Sequence, residues 1–349
     1  MEVLNLRGNL LSGEIPDCWM SWQNLVAMNL GNNNFTGSIP SSFGSLILLE
    51  SLHLYNNKLS GELPMLLKKF SKLMTIDFGE NEFVGDIPSW VGQSFTELFM
   101  LKLRSNNFHG HIPKELCALT VLQILDLADN KLSGTIPRCI HNFNAMASNN
   151  NSYDPIIYFD RRWFSDNAIL VIKGKVVEYS SILKFVKSVD LSKNSLSGEI
   201  PKEVTSLHGL QSLNLSHNLL SGSIPKKIGT MESLESIDFS TNQLLGQIPP
   251  SMSSLTFLSH LNLSNNKLIG KIPSSTQLQS FSASSFIGNE LCGPPLTDSC
   301  SPNGMNPNAK SGRSKDGNGL EVDWFYVSMA LGFVVGFWSV CGSLLLNKQ

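Results

Sequence analysis

The sequence predicts a solenoid of short parallel strands, stacked turn upon turn, with one unit repeated along most of its 349 residues. An asparagine returns every 24 or 25 residues in two runs, each followed by glycine after four residues and by proline after seven. Eight, five and three residues before each asparagine, and two and six after it, every unit carries an apolar residue. Together these observations predict ten copies of one unit, centred on Asn9, Asn33, Asn57, Asn81, Asn106, Asn130, Asn194, Asn218, Asn242 and Asn266.

The pattern inside one unit predicts its local structure. The spacing Leu-x-x-Leu-x-Leu, as in Leu49, Leu52 and Leu54, places apolar side chains on one side of a short extended segment. The asparagine turns inward, where its amide can donate to and accept from the backbone of neighbouring turns. The glycine allows a bend, and the Ile-Pro pair begins an irregular outer segment. Because one unit cannot bury its own apolar side, we expect a right-handed superhelix with a polar concave face.

The repeats are interrupted once. Residues 1–137 hold six units and residues 186–273 hold four, with residues 138–185 between them. Met1 already occupies a repeat position, and neither an N-terminal cap nor a signal peptide precedes it. We therefore expect the chain to be a fragment, or a truncated product, of something longer.

The inserted segment is rich in asparagine at its start and in aromatic residues afterwards. Residues 168–172 and 175–179 flank Lys173-Gly174 and predict a β-hairpin. Two interpretations stay open. The segment either folds back and only packs on the solenoid, or it also forms a ligand or partner surface, for which Trp163 is a candidate.

The cysteines predict two disulfides and an extracellular setting. Cys292 and Cys300 are eight residues apart where the last turn needs a cap, which predicts a bridge between them. Cys117 and Cys139 occupy outer positions of successive turns, and stacked turns are about 5 Å apart, so a bridge fits there as well. Cys18 is expected to be unpaired, because its counterpart would fall in a preceding unit.

Beyond the repeats, the composition predicts a cap, a flexible stalk and a membrane span. The stalk is rich in Asn, Gly and Ser with mixed charge. The span has 23 residues without a charge, which as a helix measures about 35 Å against a bilayer core of about 30 Å. In order, these parts are the cap at residues 274–301, the stalk at 302–323, the transmembrane helix at 324–346 and a short cytoplasmic tail at 347–349.

Two further patterns agree with a membrane protein of the secretory pathway. Ser328, Gly332 and Gly336 are spaced four apart and would lie on one face of the span, where small residues allow a second helix to approach. Sequons for N-glycosylation also occur along the chain. They are at Asn34, Asn150, Asn214 and Asn262.

Composition and motif searches exclude several function classes. The formal net charge of −2 does not indicate a nucleic-acid-binding surface. Nucleophile-elbow, zinc-protease, redox-cysteine and phosphate-loop motifs do not occur, so no enzyme activity, metal or cofactor is predicted. Asp77, Asp126, Asp190 and Asp238 recur at one position of the unit and are interpreted as part of the repeat pattern.

The order of these parts resembles plant receptor-like proteins, the leucine-rich-repeat cell-surface immune receptors without a kinase domain that include the Cf disease-resistance and fungal-xylanase receptors. The repeat frame Leu30 to Pro40, with its Ser/Thr-Gly-x-Ile-Pro ending, carries the resemblance, and it extends from the first repeat to the tail. Within the insertion, Lys173 and Tyr179 show the Lys-x5-Tyr spacing of the family's island domain.

The resemblance implies a single-pass type I protein of the plasma membrane with its repeats outside. It implies a peptide or protein ligand, a co-receptor kinase bound by the last four repeats, and an adaptor receptor kinase bound through the transmembrane helix. Outward residues of the strands, with Tyr55, Lys102 and Arg104 as candidates, would contact the ligand. The alternative is a non-signalling product, either a truncated decoy or a binding protein of the leucine-rich-repeat inhibitor type.

Overall fold

A computed structural model describes residues 1–148, 168–180, 182–297 and 299–300, all within one compact unit. Its main feature is a ten-stranded parallel sheet, to which each repeat contributes one three-residue strand. The strands pair in register, so equivalent residues of successive repeats lie side by side, as Ala27 and Ser51 do. In chain order they are Val3–Asn5, Ala27–Asn29, Ser51–His53, Thr75–Asp77, Met100–Lys102, Ile124–Asp126, Ser188–Asp190, Ser212–Asn214, Ser236–Asp238 and His260–Asn262.

A second set of short strands follows each asparagine on the flank of the solenoid. These outer strands also pair in parallel, but they form three separate sheets of five, three and three strands. They are Ser12–Glu14, Asn34–Gly37, Lys58–Gly61, Glu82–Asp86, Asn107–His109, Ser133–Gly134, Ser195–Glu199, Leu219–Ser221, Leu245–Gly246, Lys267–Lys271 and Glu290–Cys292.

Short helical turns complete each repeat on its outer side. Six of the described turns begin directly after the repeat proline, whose fixed φ and missing N–H suit the position before the first turn. The 3-10 turns are Trp19–Ser21, Ser41–Ser45, Met65–Lys69, Lys114–Ala118, Arg138–Asn142, Leu183–Phe185, Lys202–Ser206, Ile228–Thr230, Pro250–Ser254 and Ala283–Ser285. The α-helical turns are Trp90–Ser94, Asn144–Ala147 and Thr276–Gln279.

The repeat asparagines form a ladder through the core, as their spacing predicted. The amide nitrogen of Asn57 donates to the carbonyls of Leu30, Leu54 and Tyr55, and its oxygen accepts from the N–H of Phe35. One side chain thus satisfies backbone groups of two turns, which matters because an unpaired buried backbone group is costly. The ladder continues to Asn289, which bonds in the same way after a step of 23 residues inside the segment expected to be only a cap.

The residue before each ladder asparagine adopts a left-handed backbone, which the sequence did not indicate. Glycine occupies this position in the first turn and before Asn289, whereas nine other turns carry a non-glycine residue with φ between 51° and 56°. Such a conformation is uncommon outside glycine, asparagine and aspartate. The residues are Asn32, Asn56, Glu80, Ser105, Asp129, Lys193, His217, Thr241 and Asn265.

The apolar residues of all the turns merge into one continuous core, which runs from Ile15 to Leu291. Both expected disulfides are present on its outer side. Cys117 is bonded to Cys139 in the next turn, and Cys292 is bonded to Cys300 at the end of the described chain. Cys18 is exposed and lies outside both bridges.

Within the described ranges, no helix is both long and apolar enough to cross a bilayer. The span predicted at residues 324–346, with the stalk before it and the tail after it, lies outside those ranges.

Candidate functional site

The candidate site is the face of the ten-stranded sheet that points away from the main core, here called the sheet face, together with a hairpin that lies on it. The hairpin consists of Ala168–Ile172 and Lys175–Tyr179, paired antiparallel. Lys173 and Gly174 join them with φ values of 55° and 67°, as the tight turn favoured in hairpins requires. The β-hairpin predicted from the sequence is therefore confirmed.

The hairpin is held on the sheet face by a second, smaller hydrophobic cluster. Alternate residues of its first strand, among them Leu170 and Ile172, pack against Phe99, Met100 and Ile124 of the solenoid. These three solenoid residues interrupt the polar character expected for this face. Apolar residues at outward positions of two adjacent repeats were a signal, visible in the sequence, of where the insertion packs.

Ion pairs hold the hairpin at both ends. At one end Glu178 accepts from Arg7 of the first repeat at 2.7 Å. At the other end the Lys173 ammonium lies 2.8 Å from a carboxylate oxygen of Glu235, in the ninth repeat. The hairpin therefore extends along the solenoid axis and bridges distant repeats, although both pairs are partly exposed and individually weak.

Beside the hairpin, charged residues of the sheet face pair across neighbouring strands. The register places Asp77, Lys102, Asp126 and Asp190 in one row. The Lys102 ammonium donates to Asp77 at 2.9 Å, and both side chains are about 95% or more buried, at 5% and 1% exposure. Removing one member of such a buried pair leaves the other charge uncompensated, which costs about 3–5 kcal/mol.

Arg104 bridges the two sides of the insertion. Its guanidinium donates from Nε to Asp126 at 2.8 Å and from Nη2 to Asp190 at 2.5 Å, although 86 residues separate Arg104 and Asp190 in the chain. Burial lowers the pKa of Arg104, but the two carboxylates outweigh burial and raise it. Burial and the neighbouring Asp126 raise the pKa of Asp190 to about 6, against the opposing effect of Arg104.

Tyr55 lies between cations on the same face. Its ring is 5.7 Å from the Arg7 guanidinium and 5.9 Å from the Lys102 ammonium, within the range of cation–π attraction. His53 packs edge-on against the same ring. Only 6% of Tyr55 is exposed, and this burial raises the pKa of its hydroxyl to about 12.

The aspartates interpreted as part of the repeat pattern also form hydrogen bonds and, at Asp190, an ion pair. Oδ1 of Asp190 accepts from the backbone N–H and the hydroxyl of Ser192, a local bond that Asp238 repeats with Ser240. The other oxygen of Asp190 points along the row of strands and holds Arg104. The sequence signal for this second role was Arg104, a basic residue one repeat before Asp126 and two repeats before Asp190.

The structure places the residues predicted for ligand contact in different settings. Tyr55, Lys102 and Arg104 lie together on the sheet face, but each is engaged within the protein rather than open to solvent. Lys173 and Tyr179 lie at opposite ends of the hairpin. Trp163 lies outside the described residues, and ligand contact by all six stays a prediction.

The predicted modification and association sites are distributed as follows. Asn34 is exposed on an outer strand. Asn214 and Asn262 are half-buried on the sheet face, where their oxygens accept from Ser216 and Ser264. The remaining sites, Asn150 and the small residues Ser328, Gly332 and Gly336, lie outside the described residues.

The family model of the Leucine Rich Repeat matches more than half of the chain. Its copies cover residues 1–22, 24–46, 48–70, 121–143, 185–207, 209–231, 233–255 and 257–278.

Two curated proteins of Solanum lycopersicum are similar to the chain. Receptor-like protein EIX2 is 47% identical over 99% of the chain and 35% of its own length. Receptor-like protein EIX1 is 54% identical over 60% of the chain and 22% of its own length. The chain thus spans about a third or less of the curated relatives that it matches.

Among solved structures, the Arabidopsis receptor kinase HAESA, in complex with the peptide hormone IDA and the co-receptor SERK1, has a similar fold. It matches with a TM-score of 0.65 and 32% identity, over 84% of this chain and 42% of that one.

Proposed function

The chain belongs to the leucine-rich-repeat family, as a plant receptor-like protein, and we propose that it recognises an extracellular ligand and signals through partner receptor kinases in defence. The sheet face and its hairpin form the proposed recognition surface. Binding rather than catalysis is the proposed activity, with a peptide or protein as ligand and without a metal or cofactor.

The observation that carries this proposal is the exposure of apolar residues on the hairpin, which lies on the sheet face. An insertion that served only to cover the solenoid would present a polar outer side to solvent. Instead Val176 and Val177, on the second strand of the hairpin, are 72% and 37% exposed. Exposed apolar residues rimmed by charges such as Lys175 and Glu178 are typical of interaction sites.

The internal pairing of Lys102, Arg104 and Tyr55 supports a preorganised surface. Side chains that are already fixed by neighbours lose little conformational freedom when a ligand binds. In the proposed complex, these residues stabilise the part of the sheet face beside the hairpin. Lys173 and Tyr179 position the two ends of the hairpin.

The proposed partners follow the organisation of related receptors. The HAESA complex contains both a peptide hormone and a co-receptor. For this chain we place the co-receptor kinase on the last four repeats, residues 186–273. An adaptor kinase would associate with the proposed span at 324–346, which would anchor the protein in the plasma membrane with glycosylated repeats outside.

The first test concerns ligand recognition. Leaves that express the chain are challenged with a fungal xylanase as the probe protein, and the oxidative burst is recorded. Replacing Val176 and Val177 by serine should abolish the response. The matched control replaces Ile47 and Val84 by serine. These residues are similarly exposed, at 54% and 41%, but lie outside both the hairpin and the proposed co-receptor region, so the control should respond like the parent.

Loss of the burst in the control as well would contradict a specific role of the hairpin. Retained xylanase binding with no burst in the parent would favour the non-signalling decoy or inhibitor alternative.

The second test concerns the adaptor. Leucine in place of Gly332 and Gly336 should reduce co-precipitation with the adaptor kinase at least tenfold, because larger side chains keep the helices apart. Leucine at Ala330 and Val334, on the other side of the same segment, is the control and should leave co-precipitation unchanged. Equal co-precipitation of both variants would place the association in the ectodomain.

A further inference from the structure

A run of basic residues lies on the outer side of the solenoid, away from the sheet face. In four consecutive repeats the residue after the conserved proline is basic and exposed: Lys114, Arg138, Lys202 and Lys226. The remaining repeats carry no cation at this position. Their residues are Asp17, Ser41, Met65, Ser89, Pro250 and Ser274.

Equivalent positions of adjacent turns are within side-chain reach of each other. In the first two repeats, the carboxylate of Asp17 accepts from the hydroxyl of Ser41, its counterpart one turn later, at 2.9 Å. The basic run therefore presents positive charge turn after turn, at a spacing set by strands that stack about 5 Å apart.

Three of these four residues line one groove. Arg138, Lys202 and Lys226, joined by Lys227, border a cavity of about 1160 Å³ between the sixth, seventh and eighth repeats. Its lining also includes two acids, Glu199 and Glu203. Within the described ranges, none of the four cations is in an ion pair, which leaves an excess of positive charge open to a ligand.

The rest of the lining is suited to a sugar polymer. The exposed, hydroxyl-bearing Thr135 and Ser223 also line it, and the aliphatic stems of the exposed cations add apolar surface between the charges. Sugar hydroxyls pair with the first group, and the C–H faces of pyranose rings pack on the second. The volume exceeds the roughly 300–1,000 Å³ of small-molecule sites, as a polymer segment requires.

We propose that this groove binds a linear acidic polysaccharide of the polyuronate type, with one carboxylate on each sugar ring. The repeating carboxylates of such a chain match cations that recur with each turn. This site is separate from the recognition surface proposed above, and either proposal can fail without the other.

The experiment measures binding of polygalacturonate fragments to the full chain, purified in a non-ionic detergent. Replacing Arg138, Lys202 and Lys226 together by glutamine should weaken binding about tenfold or more. The matched control replaces three exposed lysines elsewhere with the same change in net charge, and should bind within about twofold of the parent. Those lysines are Lys58, Lys68 and Lys131.

Fully methyl-esterified polygalacturonate, which keeps the sugar but loses the charge, should not bind, and added salt should weaken binding of the charged form. The proposal is overturned if the esterified polymer binds as tightly, or if the control variant loses as much affinity as the groove variant. Equal affinity for polyglutamate would also overturn it, since the site would then select an acidic polypeptide.

Discussion

Truncating one buried asparagine of the ladder tests the physical basis of the solenoid. Asn57→Ala removes four hydrogen bonds at once. The N–H of Phe35 loses its acceptor, which lay at 3.0 Å, and three carbonyls lose a donor. Those carbonyls belong to Leu30, Leu54 and Tyr55, at 3.1, 3.0 and 3.2 Å.

The four losses are unequal. Each carbonyl keeps a second donor, from Asn33, Asn81 and the backbone N–H of Asn32 respectively. The N–H of Phe35 has no other acceptor available in the core and becomes an unsatisfied buried donor. An orphaned buried group costs about 1–3 kcal/mol, and a lost second bond to each carbonyl about half a kcal/mol, so we expect a decrease of about 3 kcal/mol in the free energy of unfolding.

Asn9→Ala is the matched control. Asn9 is exposed in the first turn and donates to two carbonyls, of Leu6 and Arg7. Its loss should cost about 1 kcal/mol or less, because water replaces the missing partner. Urea unfolding followed by circular dichroism measures the global change, and hydrogen exchange at the Phe35 amide reports the local one. Equal losses in the two variants, or an unchanged Phe35 amide, would refute the reasoning.

Three further outcomes are expected. Burial and a neighbouring aspartate raise the pKa of Asp190 to about 6, above its unfolded value of about 3.9, so its contribution to stability is present at low pH and lost as the pH rises from about 4 to about 6. Asp190→Asn should remove that slope from unfolding measured against pH, and an unchanged slope would contradict it. Replacing Cys117 and Cys139 by alanine should cost about 3 kcal/mol for a loop of 22 residues, seen as a lower Tm, whereas an equal Tm would argue against the bridge. Glu178→Gln should cost less than about 1 kcal/mol globally, because the pair is exposed, yet accelerate hydrogen exchange in residues 168–179. Unaltered exchange there would mean that the ion pair does not hold the hairpin.

Particular elements show how far the sequence could predict this structure. The hairpin was predictable from the alternation around Lys173-Gly174, since a turn and two strands are local features. Its packing site on Met100 and Ile124 was not predicted, although their apolar side chains at outward positions were a signal for it. Such a signal marks a surface to be covered, whereas the segment that covers it depends on contacts far apart in the chain. The left-handed residues, such as Glu80 and Thr241, were also missed, because their side chains carry no common signal for that backbone.

The sequence by itself determined the repeat, its register and the asparagine ladder, together with the two disulfides. It could do so because a period of 24 residues brings equal positions side by side in every turn, and a buried amide has few ways to satisfy the backbone around it. Only the tertiary structure decided which outward side chains meet. Arg104 finds Asp190 across the insertion, and Tyr55, Lys102 and Arg104 are engaged beside the hairpin rather than open to solvent. Outward positions are not constrained by the repeat, so their partners depend on where the inserted chain lies.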